Sequence, residues 1–117
     1  MQRVMLGKTG MEVSRVVFGG IVVMDETQNE ADRFVSYAFD KGVNYFDVAP
    51  SYENAEERLG PALMPYRDKV FLACKTTERG AKEARKELEK SLKTLRTGYE
   101  DIAYLNSMLP DEKDYFF

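Results

Sequence analysis

Two kinds of apolar spacing alternate along this chain, and that alternation limits its fold more than any other feature. Short apolar runs at 16–18, 43–48, 70–74 and 101–105 read as strands. Between them, apolar residues recur three and four apart: Ala31, Phe34, Val35 and Ala38, then Leu59, Ala62 and Leu63, then Ala81, Ala84, Leu88, Leu92 and Leu95. That spacing puts each set on one helical face. Strands alternating with helices predict βαβ units, a parallel sheet and right-handed crossovers. A small hairpin turning at Lys8-Thr9-Gly10 precedes the first buried strand, which runs through Val16, Val17 and Phe18. A closed (β/α)8 barrel needs eight strands and roughly 250 residues. The expected fold is therefore α/β of parallel (β/α) barrel type, about half of a TIM (β/α)8 barrel with an N-terminal β-hairpin.

Local signals sharpen these elements. Thr27 with Glu30 fits a capping box, and Gly42 stands where a C-cap glycine belongs. Asn54 with Glu57 can cap the second helix. Pro61 lies inside it, which predicts a kink or restart there, because proline lacks the backbone donor and crowds the preceding turn. Glu89 and Lys93 offer an outward pair four residues apart. The segment PDEKDYFF reads as the first turn of another helix. No linker or low-complexity stretch divides the chain, so residues 1–117 are expected to form a single domain.

Composition excludes several functions. The formal net charge is −3, which gives no electrostatic reason to expect nucleic acid or an anionic membrane as partner. No apolar run is long enough for a bilayer. MQRVMLGKTG has no apolar signal core, so a cytoplasmic location is expected. Cys74 is the lone cysteine and there is no histidine. A disulfide within the chain, a His-based triad and a zinc site are all disfavoured, and no metal site is expected. Acid–base chemistry must come from Asp, Glu, Lys, Tyr or Cys.

Each later strand closes on a polar residue: Asp47, Lys75 and Asn106. Alternation puts Tyr45 with Asp47 on one face, Phe71, Ala73 and Lys75 on one face, and Ile102, Tyr104 and Asn106 on one face. The C-terminal ends of parallel strands lie side by side, at the edge where such sheets carry their sites. A carboxylate and an ammonium there offset each other's desolvation, and an ammonium near a phenol favours the phenolate. Tyr52, in the loop after Asp47, is placed to give a proton to a carbonyl oxygen. The same residues also read as a helix-capping acid, a solvated strand terminus and a packed loop aromatic. Cys74 points away from Lys75 and reads as packing. Gly19-Gly20 lacks the GxGxxG spacing, and permits close approach of a ligand or a turn.

Four stretches in order carry a resemblance: LGKTGMEVSRVVFGG, GVNYFDVAPSYENAEERLG, RDKVFLACKT and LEKSLKTLRTGYEDIAYLNS. With them the chain resembles the N-terminal half of the aldo-keto reductases. The resemblance implies a (β/α)8 barrel that binds NADP(H) and reduces aldehydes and ketones. It implies Asp47, Tyr52 and Lys75 as catalytic, with Tyr52 the proton donor, Lys75 lowering its pKa and Asp47 pairing with Lys75. It implies Gly19, Gly20, Ile21 and Asp47 as part of the nicotinamide-ribose pocket. Two residues depart from the family. Asn106 stands at the family's histidine, where an amide can donate a hydrogen bond but cannot become a cation. Glu53 stands at the glycine after the catalytic tyrosine.

The family's main NADP grip lies in its C-terminal half, so cofactor binding by this chain alone is expected to be weak or absent. A curled four-stranded sheet has two open edges and invites association. Three readings follow: a reductase half that needs a complementing C-terminal half, a self-assembling half-barrel, or a non-catalytic pseudo-reductase that binds a partner.

Overall fold

The computed structural model describes residues 1–106. The helical turn expected in PDEKDYFF lies outside the described residues. The chain opens with a hairpin of β1 (Arg3–Met5) and β2 (Glu12–Ser14), antiparallel, with Val4 opposite Val13. Its turn is closed by Thr9, whose Oγ1 donates to Leu6 O at 2.6 Å and accepts from Met11 N at 3.2 Å. Gly10 takes a φ of +81°, open at little cost only to glycine.

Four parallel strands follow: β3 (Phe18–Gly19), β4 (Tyr45–Asp47), β5 (Phe71–Thr76) and β6 (Ile102–Leu105), in the order β3-β4-β5-β6. Between them run α1 (Gln28–Asp40), α2 (Ala55–Leu63) and α3 (Ala81–Thr94). Phe46, Val48, Leu72 and Cys74 point to the helices and join one apolar core with Val35, Leu59 and Leu63. Tyr45 and Ala73 point the other way, where the hairpin's Val13 packs on them with Phe71 and Ile102. Asn44, 3% exposed, ties hairpin to sheet. Its Oδ1 accepts from Ser14 N at 2.6 Å and its Nδ2 donates to Glu12 O at 3.1 Å.

The helix ends follow the sequence in part. Thr27 Oγ1 accepts from Glu30 N at 3.2 Å, but the Glu30 carboxylate turns to Arg33 instead of closing the capping box. Gly42, at φ +94°, ends α1 with Gly42 N on Phe39 O and Val43 N on Ala38 O, the paired bonds of a Schellman cap. Asn54 precedes α2 without capping it through its side chain, because its Oδ1 accepts from Asp25 N at 2.7 Å. The helix does not restart at Pro61. It continues to Leu63 and tightens into a 3-10 turn over Met64–Lys69, so proline costs a bond only near the end.

Three expectations fail at the boundary of the half-barrel. The first strand is reduced to Phe18–Gly19, and Val16 and Val17 are exposed, because β3 is an edge strand with no partner beyond it among the described residues. The stripe of α3 is buried only at Leu95. Ala81 is exposed and Leu88 and Leu92 are half-buried, since α3 is the last of the described helices in the outer layer. Glu89 and Lys93 form no ion pair among the described residues. No helix among those residues is long and apolar enough to cross a membrane. No group of three or more Cys, Asp or Glu among them could hold a metal ion.

Candidate active site

The register of the sheet brings two of the strand-end residues into contact. Asp47 sits opposite Ala73, so Lys75 lies two residues further along β5 on the same face. Its four-carbon stem turns back, and Nζ meets both Asp47 oxygens at 2.6 Å and Val48 O at 3.3 Å. The two side chains are 13% and 24% exposed. A symmetric contact with both oxygens of a sheltered carboxylate is a charge-assisted bond of the stronger kind, and it holds the ammonium at the strand ends instead of in solvent.

Tyr52 lies above this pair, in a turn closed by Tyr52 N on Ala49 O and Ala55 N on Tyr52 O. Lys75 Nζ stands 5.1 Å from the centre of the Tyr52 ring, within cation–π range. The contact is with the ring, and the Tyr52 hydroxyl has no hydrogen-bond partner among the described residues. The next residue, Glu53, has a φ of +46°, a conformation that favours glycine. Asn106 follows β6. Its N–H donates to Thr76 O at 2.8 Å and its carbonyl accepts from Arg79 Nη2 at 2.8 Å.

Asp47, Lys75 and Asn106 share one cleft of about 570 Å³, with Val17, Tyr45 and Tyr104 also on its wall. Tyr52 borders Lys75 from outside that lining. Gly19 and Gly20 stand at the end of β3 and serve different ends. A Cβ on Gly20 would meet Asp47 O at 2.6 Å, so this glycine allows β3 to approach β4. A Cβ on Gly19 would meet nothing within 4 Å, and Ile21 beside it is exposed. The rim next to Asp47 is thus open on the β3 side.

Cys74 faces the helices, fully buried, with Sγ donating to Glu56 Oε2 at 3.5 Å. Burial pushes its thiol up to about 12, with the Glu56 charge adding to the rise. It stays a protonated packing group.

The sequence puts Tyr45 and Tyr104 on the faces of Asp47 and Asn106, but their pairing with each other needed the structure. Tyr45 and Tyr104 share a hydrogen bond of 2.5 Å between their hydroxyls, reaching from β4 and β6 across the small Ala73 of β5. Burial first, then the Tyr104 hydroxyl and the Asp47 charge, hold the Tyr45 phenol well above the ordinary tyrosine range. Their signal was present: each lies two positions before a strand-end polar residue, on its face.

A profile of the Aldo/keto reductase family matches residues 15–115. L-galactose dehydrogenase of Arabidopsis thaliana is 32% identical over 118 aligned residues, covering 88% of this chain and 37% of that protein. An aldo-keto reductase of Pseudomonas aeruginosa superposes with a TM-score of 0.88 at 30% identity, covering 97% of this chain and 49% of that one. An aldo-keto reductase of Klebsiella pneumoniae, solved in complex with NADPH, superposes with a TM-score of 0.73 at 25% identity, over 91% of this chain and 41% of that one. The chain therefore spans half or less of the length of these relatives.

Proposed function

This chain belongs to the aldo/keto reductase family, and from that premise we propose that it carries the acid–base half of an NADPH-dependent site for reducing aldehydes or ketones. One observation carries the reading: the Lys75 ammonium, held at 2.6 Å by both Asp47 oxygens, lies against the Tyr52 ring at a parallel-sheet edge. Bound NADPH would supply the hydride. Tyr52 would give the proton that the carbonyl oxygen needs, and the Lys75 cation would stabilise the phenolate left behind. Asp47 keeps that cation in place. The Asn106 amide can donate to the same oxygen and leaves proton transfer to the phenol.

The residues of the β3 rim fit one end of the cofactor. Gly19 leaves open space, Ile21 offers an exposed apolar side chain and Asp47 an acceptor. Among the described residues these form one wall. A grip for the rest of the nucleotide belongs to a complementing C-terminal half. The Klebsiella relative was solved in complex with NADPH, which favours the phosphorylated nicotinamide.

The test is aldehyde-dependent NADPH oxidation by the chain, alone and mixed with the C-terminal half of a relative. Tyr52→Phe is expected to lower kcat by about 10²–10⁴-fold, the usual contribution of a general acid. Lys75→Met should lower it comparably. Undiminished turnover in Tyr52→Phe, or no NADPH oxidation with any complement, overturns the reading.

A further inference from the structure

We propose that the groove between α2 and α3 binds a small primary amine, best a short aliphatic diamine, at a site separate from the strand-end cleft. A cavity of about 190 Å³ lies there, with Glu53, Glu56, Glu57, Glu87, Lys90 and Ser91 on its wall. Four carboxylates against one ammonium make that wall strongly negative. The helices stand on the opposite side of the sheet from Tyr45 and Ala73, so the site does not depend on what covers the interior face.

Two groups inside the cavity call for a donor. Ser91 of α3 is 1% exposed, and its Oγ has no hydrogen-bond partner among the described residues. A buried hydroxyl in that state is costly, and a donor reaching it through the cavity relieves the cost. Glu56 is 7% exposed and forms no ion pair among the described residues. Cys74 Sγ donates to it at 3.5 Å, but a thiol is a weak donor. A buried carboxylate without a cation is costly in turn. Burial raises the pKa values of Cys74 and Glu100, and the Glu56 charge adds to both. Its field therefore reaches its neighbours uncompensated. Glu53 and Glu57 are exposed and extend the negative wall to solvent. Glu87 is fixed by Thr76 Oγ1 and Thr77 N, each donating at 2.8 Å, so its charge is a constant part of the wall.

These acceptors set the chemistry of the ligand. No group of three or more carboxylates or thiols among the described residues could hold a metal ion, so the positive charge must arrive with N–H donors of its own. A primary ammonium carries three donors on one compact charge. That is enough for the Ser91 hydroxyl, the Glu56 carboxylate and one carboxylate of the rim. The volume is below the roughly 300 Å³ at which sites for drug-sized ligands begin, so a slender chain fits and a bulky amine does not. Pro50 and Thr94 complete the wall and give a methylene chain apolar contact. A second ammonium on that chain meets the remaining carboxylates. Lys90, a like charge on the same wall, opposes the ligand.

Putrescine is the probe, and butanediol of the same chain length is its uncharged counterpart. Each is titrated at low salt into the isotope-labelled chain and followed by NMR. Putrescine is expected to shift the amide resonances of Glu53, Glu56, Glu57 and Ser91 saturably, and butanediol to leave them in place. Ser91→Ala should weaken putrescine binding by about tenfold, the worth of one hydrogen bond to a charged group. The same change should raise the urea midpoint of the ligand-free chain, because it removes a buried hydroxyl that lacks a partner. A hydroxyl with a purely structural role would lower that midpoint. Glu53→Gln combined with Glu57→Gln alters exposed positions only and keeps the test independent of folding. This pair should weaken binding a few-fold at low salt, and Lys90→Met should tighten it. Absence of putrescine shifts, the same shifts with butanediol, or binding undiminished in both Ser91→Ala and the double Gln variant overturns the proposal. No turnover enters these measurements, so the reductase reading stands or falls separately.

Discussion

The alternation of side chains along a strand decides which residues can do chemistry here. Asp47 and Lys75 were legible because each ends an apolar run on the face opposite the helix-packed residues. Their contact needed the register as well, which no local pattern encodes. Tyr45 with Tyr104, and Asn44 with Ser14, are partners 59 and 30 residues apart, and their pairing exists only once the sheet has formed. The helix-side face makes opposite demands. Cys74 there is buried and its thiol raised to about 12, and since the thiolate is the reactive form, a disulfide-exchange reagent should leave it unmodified in the folded chain. Labelling should track urea unfolding; rapid stoichiometric labelling in buffer would show the burial to be wrong. Glu100 lies nearby with Oε2 buried and unpartnered among the described residues. Burial, then the Glu56 charge, raises its pKa above the ordinary 4.5. A carboxyl raised on folding binds more protons in the native state, so its contribution is favourable below about pH 4.5 and is lost as pH rises through the folded value. Glu100→Gln should therefore raise the urea midpoint at pH 7 and lose that advantage by pH 4. An advantage that grows on acidification would reverse the assigned sign.

Helices were the most legible elements because their signals are local. The stripe of α1 and its glycine stop follow from spacing and from the one residue type that accepts φ +94° at Gly42 without strain. Strand extents were less legible, since an edge strand has the same apolar sequence as a central one. Val16 and Val17 are exposed for want of a neighbour, and nothing in their own sequence says so. Packing between elements was hidden too. Gly60 sits inside α2, where helix propensity alone favours alanine by about 1 kcal/mol. A Cβ there would lie 2.6 Å from Leu95 O and 2.7 Å from Leu95 C, backbone atoms just past α3. Overpacking of this kind costs about 1–3 kcal/mol and often exceeds the propensity gain. Gly60→Ala is therefore expected to lower the urea midpoint at unchanged m-value. A raised midpoint would mean that the α2–α3 contact is soft enough to open without loss.

At the scale of the whole molecule the sheet presents β3 and β6 as parallel edges, each hydrogen-bonded on one side among the described residues. Open edges of this kind are templates for pairing. Between them lies an interior face on which Val17 and Tyr104 are exposed. A parallel sheet is stable only with both faces covered, so the exposed face adds to what the edges would gain. Four strands are half of the eight in a (β/α)8 barrel, and the Pseudomonas aeruginosa relative is matched over 49% of its length. A two-fold axis along the barrel axis keeps all strands parallel and brings β6 of one copy to β3 of the next, twice, which closes the ring. The hairpin opposes this arrangement, because β1 and β2 already cover the interior at Val13, and two copies would compete for the same end of the ring. The edges decide the balance, since two strand pairings are gained for one hairpin displaced. Sedimentation velocity over a hundredfold range of concentration should then show a monomer giving way to a dimer. A compact monomer at every concentration would leave a complementing C-terminal half as the occupant of both edges, and would tie any NADPH affinity to its addition.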